Sequence, residues 1–217
     1  MNIEQARINM IEQQIRPWNV LDQDVLDLLL VVKREQFVPV AYQNLAFVDT
    51  NIPLAPGAAM FDPKLEARIL QEAAPKKHEN VLEIGTGSGY MAALLAHKAQ
   101  HVTTVEILPQ LKEHAEATLA VAGVSNVTVV QGDGSQGWAQ GVPWDVIVLS
   151  GAVEVLPEAF LKQVKVGGRI CAIVGHAPVM SAQLITRVSE SAYSTVKVFE
   201  TNVGYLTTAV KPSSFTF

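Results

Sequence analysis

The stretch from Glu83 to Gly89, Glu-Ile-Gly-Thr-Gly-Ser-Gly, constrains this chain more than any other. It joins a short apolar run, Val81–Ile84, to the Ala/Leu-rich stretch Tyr90–His97. Those patterns predict a buried strand followed by a helix, with the glycines at the turn between them. Glycine at alternate positions lets the backbone bend sharply and approach a ligand where a Cβ would collide. A helix that starts there presents free N–H groups, which suit a carboxylate or phosphate.

The alternation continues. Val102–Glu106 reads as a strand and Pro109 to about Val121 as a helix ending near Gly123. Val127–Val130, Val146–Leu149 and Arg169–Val174 read as further strands, with a helix around Pro157–Lys162. Thr- and Val-rich runs from Ala182 to Val210 fit strands with a hairpin. Short buried strands alternating with helices predict an α/β fold with a doubly wound, mostly parallel sheet. Upstream, Ile3, Ala6, Met10 and Ile11 recur at helical spacing until Pro17. A second helix is expected from Asp22, as N-cap, to Val32, and a third from Pro63 to Ala73. Pro39, Asp49, Pro53, Pro56 and Gly57 mark an irregular connection between them. The expected organisation is one domain, with a helical cap and acceptor loop over residues 1–75 and a sheet core over 76–217.

Spacing separates the nucleotide ligands. A dinucleotide fingerprint needs glycine at position 90, where this chain has Tyr90. No Gly-Lys-Ser/Thr follows the turn, so a P-loop is excluded. Gly-x-Gly-x-Gly preceded by an acid, here Glu83, is the form found in S-adenosylmethionine-binding methyltransferases. Two more carboxylates fit. Glu106, followed by Ile107, closes the second strand, where an acid can accept from both ribose hydroxyls. Asp133, before Gly134, follows the third strand and can accept from an adenine amine. The candidate cofactor residues are therefore Glu83, Gly85, Thr86, Gly87, Ser88, Gly89, Glu106, Ile107, Asp133 and Gly134.

Composition narrows the partners. With 21 acidic and 16 basic residues the formal charge is −5, and no Lys/Arg run carries interleaved aromatics. Nucleic acid is not an expected partner. The longest early apolar stretch, Leu28–Val32, is far shorter than the ~20 residues of a membrane helix. Residues 1–16 lack a signal-peptide core, so a cytoplasmic protein is expected. The single cysteine, Cys171, reads as a buried hydrophobe. No His/Cys/Asp cluster has metal-ligand spacing. His78, His97, His101 and His114 read as surface residues, while His176 can reach the crevice or simply sit in its loop. Trp18 reads as core packing or as part of an apolar pocket with Met60 and Phe61.

Met10-Ile11-Glu12-Gln13-Gln14, Arg34-Glu35-Gln36-Phe37-Val38-Pro39 and the whole of Val81–Ala96 resemble the protein-L-isoaspartate O-methyltransferase family. Gly132-Asp133-Gly134 with Gly137-Trp138, Pro143-Trp144-Asp145 and Gly167-Gly168-Arg169 extend the likeness to about residue 175. The resemblance implies a seven-stranded methyltransferase sheet with an N-terminal helical cap. It also implies S-adenosylmethionine as cofactor and, as substrate, a protein or peptide carrying isoaspartate, whose carboxylate is methylated in repair. Oligomeric state stays open.

One loop departs from the family. Where the family usually reads Gly-Gln-Thr-Ile-Ser-x-Pro, this chain reads Gly57-Ala58-Ala59-Met60-Phe61-Asp62-Pro63. The polar positions hold Ala58, Ala59 and Phe61. Asp62 either caps the helix that follows or faces the acceptor, where it would repel a carboxylate but could serve as base or anchor for a hydroxyl or amine. Ser150-Gly151-Ala152 stands where the family tends to have Thr-Ala-Ala. Phe61, Asp62 and Ser150 are thus the candidate acceptor-side residues, with the catalytic residues left open. The altered loop keeps two other readings alive: a methyltransferase for a different small-molecule or protein acceptor, and a non-catalytic cofactor-binding module.

Overall fold

The computed structural model describes residues 2–209. Seven strands form one sheet: β3 (Asn80–Ile84), β4 (His101–Glu106), β5 (Val127–Gln131), β6 (Trp144–Val153), β7 (Val164–His176), β8 (Val179–Arg187) and β9 (Tyr193–Thr201). Their order is β5-β4-β3-β6-β7-β8-β9. β5, β4, β3, β6 and β7 pair in parallel, and β8 and β9 add an antiparallel edge. The chain winds one way from β3 to β5, then returns to the other side of β3 with β6. Ligands in such sheets lie outside the carboxyl ends of the strands at that reversal.

Helices α4 (Tyr90–Lys98), α5 (Pro109–Val121) and α6 (Glu158–Gln163) provide the crossovers, while α1 (Ile3–Met10), α2 (Gln23–Val31) and α3 (Pro63–Ala73) precede the sheet. Central strands are apolar on both faces because helices cover both. Val81 and Val146 pack toward the cap helices, and Leu82, Ile147 and Phe160 toward the opposite layer. Arg169 ties cap to sheet: its Nε donates to the Ala73 carbonyl (2.6 Å) and its Nη2 to that of Ala74 (2.6 Å). These are carbonyls that the end of α3 would otherwise leave unpaired.

Local signals placed α2 and α3 correctly. Asp22 and Asp62 cap them, accepting from the N–H groups of Asp24 (2.9 Å) and Leu65 (2.9 Å). The first helix is less regular than expected: α1 passes into a π-helical turn (Ile11–Ile15) and a 3-10 turn (Arg16–Trp18) that holds Pro17. The irregular connection contains a small hairpin, β1 (Ile52–Ala55) with β2 (Ala58–Met60). Trp18 is not core: it is 37% exposed, under the Lys64 ammonium and against the edge of Phe199. The expected strands near the C-terminus are β8 and β9, and Val210 lies outside the described residues. Among those residues no helix is long and apolar enough to cross a membrane.

Candidate active site

The carboxyl ends of β3, β4, β5 and β6 open into a cavity of about 430 Å³, closed on its far side by the β1–β2 hairpin. Its walls include Glu83, Gly85, Thr86, Gly87, Ser88, Glu106, Ile107, Asp133 and Gly134, nine of the ten cofactor candidates. The tenth, Gly89, is not on the wall. It starts α4 at φ 84°, and a Cβ there would stand 3.3 Å from Ala115 Cβ of α5. It lets two helices close on each other, while Gly85 lines the cavity. At φ 93° Gly85 adopts a left-handed conformation, and a Cβ would press on the Ser150 carbonyl at 3.2 Å.

Each acid has a distinct environment. Glu83 is fully buried on β3 and is held from both sides: Thr104 Oγ1 donates to one oxygen (2.7 Å) and Ser150 Oγ to the other (2.8 Å). Thr86 joins the chain through Thr104 at 2.7 Å. Burial pushes the Glu83 carboxyl up to about 7, against those two hydrogen bonds and with help from the nearby negative charge of Glu106. Glu106, at the end of β4, accepts from the Gly87 N–H (2.8 Å) and the Leu108 N–H (3.0 Å). Those bonds fix its carboxylate plane and leave lone pairs toward the cavity. Asp133 lies after β5. Burial raises its pKa somewhat, but the Ser135 N–H (2.9 Å) and Thr208 hydroxyl (2.7 Å) outweigh that and hold it below the usual carboxylate range. Both bonds end on Oδ1, so Oδ2 is the oxygen left for a ligand.

The acceptor side divides the three remaining candidates. Phe61 and Ser150 are on the wall. Asp62 is not: its Oδ1 caps α3, and the residue does not line the cavity. Burial lifts its pKa, with the Leu65 N–H opposing. Met60 and Phe61 are buried and line the cavity. His176 is exposed, 3.5 Å from Glu154, and off the cavity. Cys171 is buried, and burial pushes its thiol up to about 12, so it offers no nucleophile here.

Several wall residues escaped the sequence reading. The Gly204–Thr208 segment covers the opening after β9, joined to β6 by hydrogen bonds between Ala152 and the backbone at Gly204 and Leu206, both 2.9 Å. Glu66 of α3 also lines the cavity, buried against Arg34. Its helical phase carried the signal: 66, 69, 70 and 73 form one stripe, and the other three residues are apolar.

A doubly wound seven-stranded sheet, a glycine turn at its first parallel strand and acids on the next two define a nucleoside-binding α/β protein of the methyltransferase class. A set of oriented carboxylate acceptors, with backbone brought close at Gly85, suits the hydroxyls of the sugar and the amine of the base of an adenosyl group. The family model for protein-L-isoaspartate(D-aspartate) O-methyltransferase matches residues 5–212, and the chain belongs to that family. A protein-L-isoaspartate O-methyltransferase from Ignicoccus hospitalis is 33% identical over 98% of this chain and 97% of its own length. One from Rhodopseudomonas palustris (strain HaA2) is 39% identical over 88% of this chain and 77% of its own. A solved protein-L-isoaspartate O-methyltransferase superposes with a TM-score of 0.76 at 25% identity, covering 92% of this chain, which spans 65% of that one. A Plasmodium falciparum structure in complex with S-adenosyl-L-homocysteine has the same TM-score at 16% identity, a likeness of fold (94% and 98% covered).

Proposed function

We propose that the chain transfers a methyl group from S-adenosylmethionine to the free carboxylate of isoaspartyl residues in damaged proteins and peptides. The observation that carries this is the convergence of Glu83, Gly85, Glu106 and Asp133 on one cavity, in a member of this family. Glu106 would accept from the ribose hydroxyls, Asp133 Oδ2 from the adenine amine, and the turn at Gly85 would pass beneath the amino-acid end. Its fully buried partner Glu83 braces that turn through Thr104 and Thr86 and reaches Ser150 on the acceptor side. When bound, S-adenosylmethionine supplies a methyl group made electrophilic by its sulfonium.

The chain's residues then have little proton chemistry to perform. The acceptor carboxylate is ionised at neutral pH, so its oxygen forms the new bond to carbon directly as the carbon–sulfur bond breaks. Opposite charges vanish in that step, and it gains from positioning and from exclusion of water. Met60, Phe61, Leu54 and Leu206 supply the apolar walls for this. A cytoplasmic setting belongs to the same reading.

Ala58, Ala59 and Phe61 favour a second reading, methyl transfer to a different acceptor, because none of them offers a side-chain donor to a carboxylate. One assay separates the two. The protein is incubated with methyl-labelled cofactor and an isoaspartyl peptide beside its aspartyl twin. Labelling confined to the isoaspartyl peptide is the expected result. No labelling, with cofactor affinity intact, would transfer the case to another acceptor or to a module that only binds.

A further inference from the structure

Where Ala58, Ala59 and Phe61 offer no polar group, the cap puts one charged side chain on the cavity wall, Glu66. It is 3% exposed and lies in the first turn of α3. Arg34 pairs with its Oε2, and Glu66 Oε1 receives no hydrogen bond among the described residues. Arg34, itself 1% exposed, is fixed on every side. It donates from Nε to the Ala46 carbonyl (3.0 Å) and from Nη2 to the Phe61 carbonyl (2.6 Å), with its face 5.2 Å from the Tyr90 ring centre. One guanidinium thus clamps the acceptor wall to α3 and to the first residue of α4, just beyond the glycine turn.

We infer that Glu66 is a binding and specificity residue for the acceptor, its Oε1 accepting a hydrogen bond from the amide N–H of the isoaspartyl residue, with Arg34 as the residue that positions it. The inference rests on the isoaspartyl reading above. Arg34 cancels the charge of Glu66, so the pair offers an oxygen acceptor without repelling the substrate carboxylate. The chemistry is selective. In an isoaspartyl residue the free carboxylate is on the same carbon as the amide nitrogen. In an aspartyl residue it is one carbon further away. A site that fixes the N–H and the reacting oxygen together therefore rejects the normal residue by misplacing its carboxylate.

The test uses an isoaspartyl peptide and its analogue N-methylated at the isoaspartyl nitrogen, with wild type and Glu66→Gln. The glutamine keeps a carbonyl oxygen for Arg34 and turns an NH₂ donor into the cavity. Wild type should lose about ten- to a hundredfold in kcat/KM on the N-methyl peptide. Glu66→Gln should fall by a similar factor on the parent peptide, through KM, and treat the two peptides alike. Its affinity for S-adenosylhomocysteine should stay within about twofold of wild type, a split that loss of fold would not produce. Equal rates on both peptides with wild type, or undiminished preference in Glu66→Gln, would overturn the inference. Should wild type methylate neither peptide, calorimetric binding of the two decides. Glu66-dependent preference for the parent then keeps the subsite while the methylation reading falls, and equal or absent binding removes the subsite.

Discussion

Glu83 makes a stability prediction whose size follows from its surroundings. Its folded pKa of about 7 lies above the ordinary value of 4.5, because burial disfavours the charged form. Between those two values the folded state holds a proton that the unfolded state has released. Stability therefore decreases as pH rises through that window, is unaffected by this group below it, and levels off above it. At 1.36 kcal/mol per unit, the shift corresponds to about 3 kcal/mol lost by neutral pH. Glu83→Gln removes the titration. The Ser150 hydroxyl can still donate to the amide oxygen, and the Thr104 proton can turn to Thr86 so that the amide NH₂ has an acceptor. Urea unfolding of both proteins from pH 4.5 to 8 checks this. The difference in stability, wild type minus variant, should fall by about 2–4 kcal/mol across that range. A difference that is flat with pH, or that rises, would refute the view of Glu83 as a desolvated carboxyl.

The remaining predictions concern the cavity and its frame. Glu106→Ala should weaken S-adenosylhomocysteine binding about 30- to 1,000-fold by calorimetry, since it removes an ionised acceptor for two hydroxyls. Loss under threefold would deny it the ribose. Gly89→Ala should destabilise by about 1–2 kcal/mol in denaturant titration, because φ is 84° and Ala115 of α5 is already close. An unchanged midpoint would contradict that packing. Phe61→Ser puts a hydroxyl on the wall, and isoaspartyl KM should fall; slower turnover at raised KM would show that Phe61 shapes the acceptor site by packing.

What the sequence made legible was local. Asp62-Pro63 announces the start of α3 because cap and first turn are neighbours in the chain, and the glycine turn announces itself between a strand and a helix. The mostly parallel character of the sheet was legible in strand–helix alternation, but its strand order was not. The β1–β2 hairpin stayed hidden because strands of four and three residues, one containing Pro53, show too little alternation to read. Thr208 on Asp133 and Leu206 over Gly85 are 75 and more residues from their partners, so only the folded sheet brings them there. The constraint on Gly89 from Ala115 of α5 is hidden in the sequence for the same reason. Asp62 had two readings, and the geometry of a single N–H, that of Leu65, decides for the cap.

The central claim is that this cavity holds an adenosyl ligand by its sugar and base. A crystal structure with S-adenosylhomocysteine tests it most directly. Density should show both ribose hydroxyls on Glu106, the adenine amine at Asp133 Oδ2 and the thioether facing Phe61 and Ser150. A ligand outside the cavity, or one whose ribose is more than hydrogen-bond distance from Glu106, would contradict it.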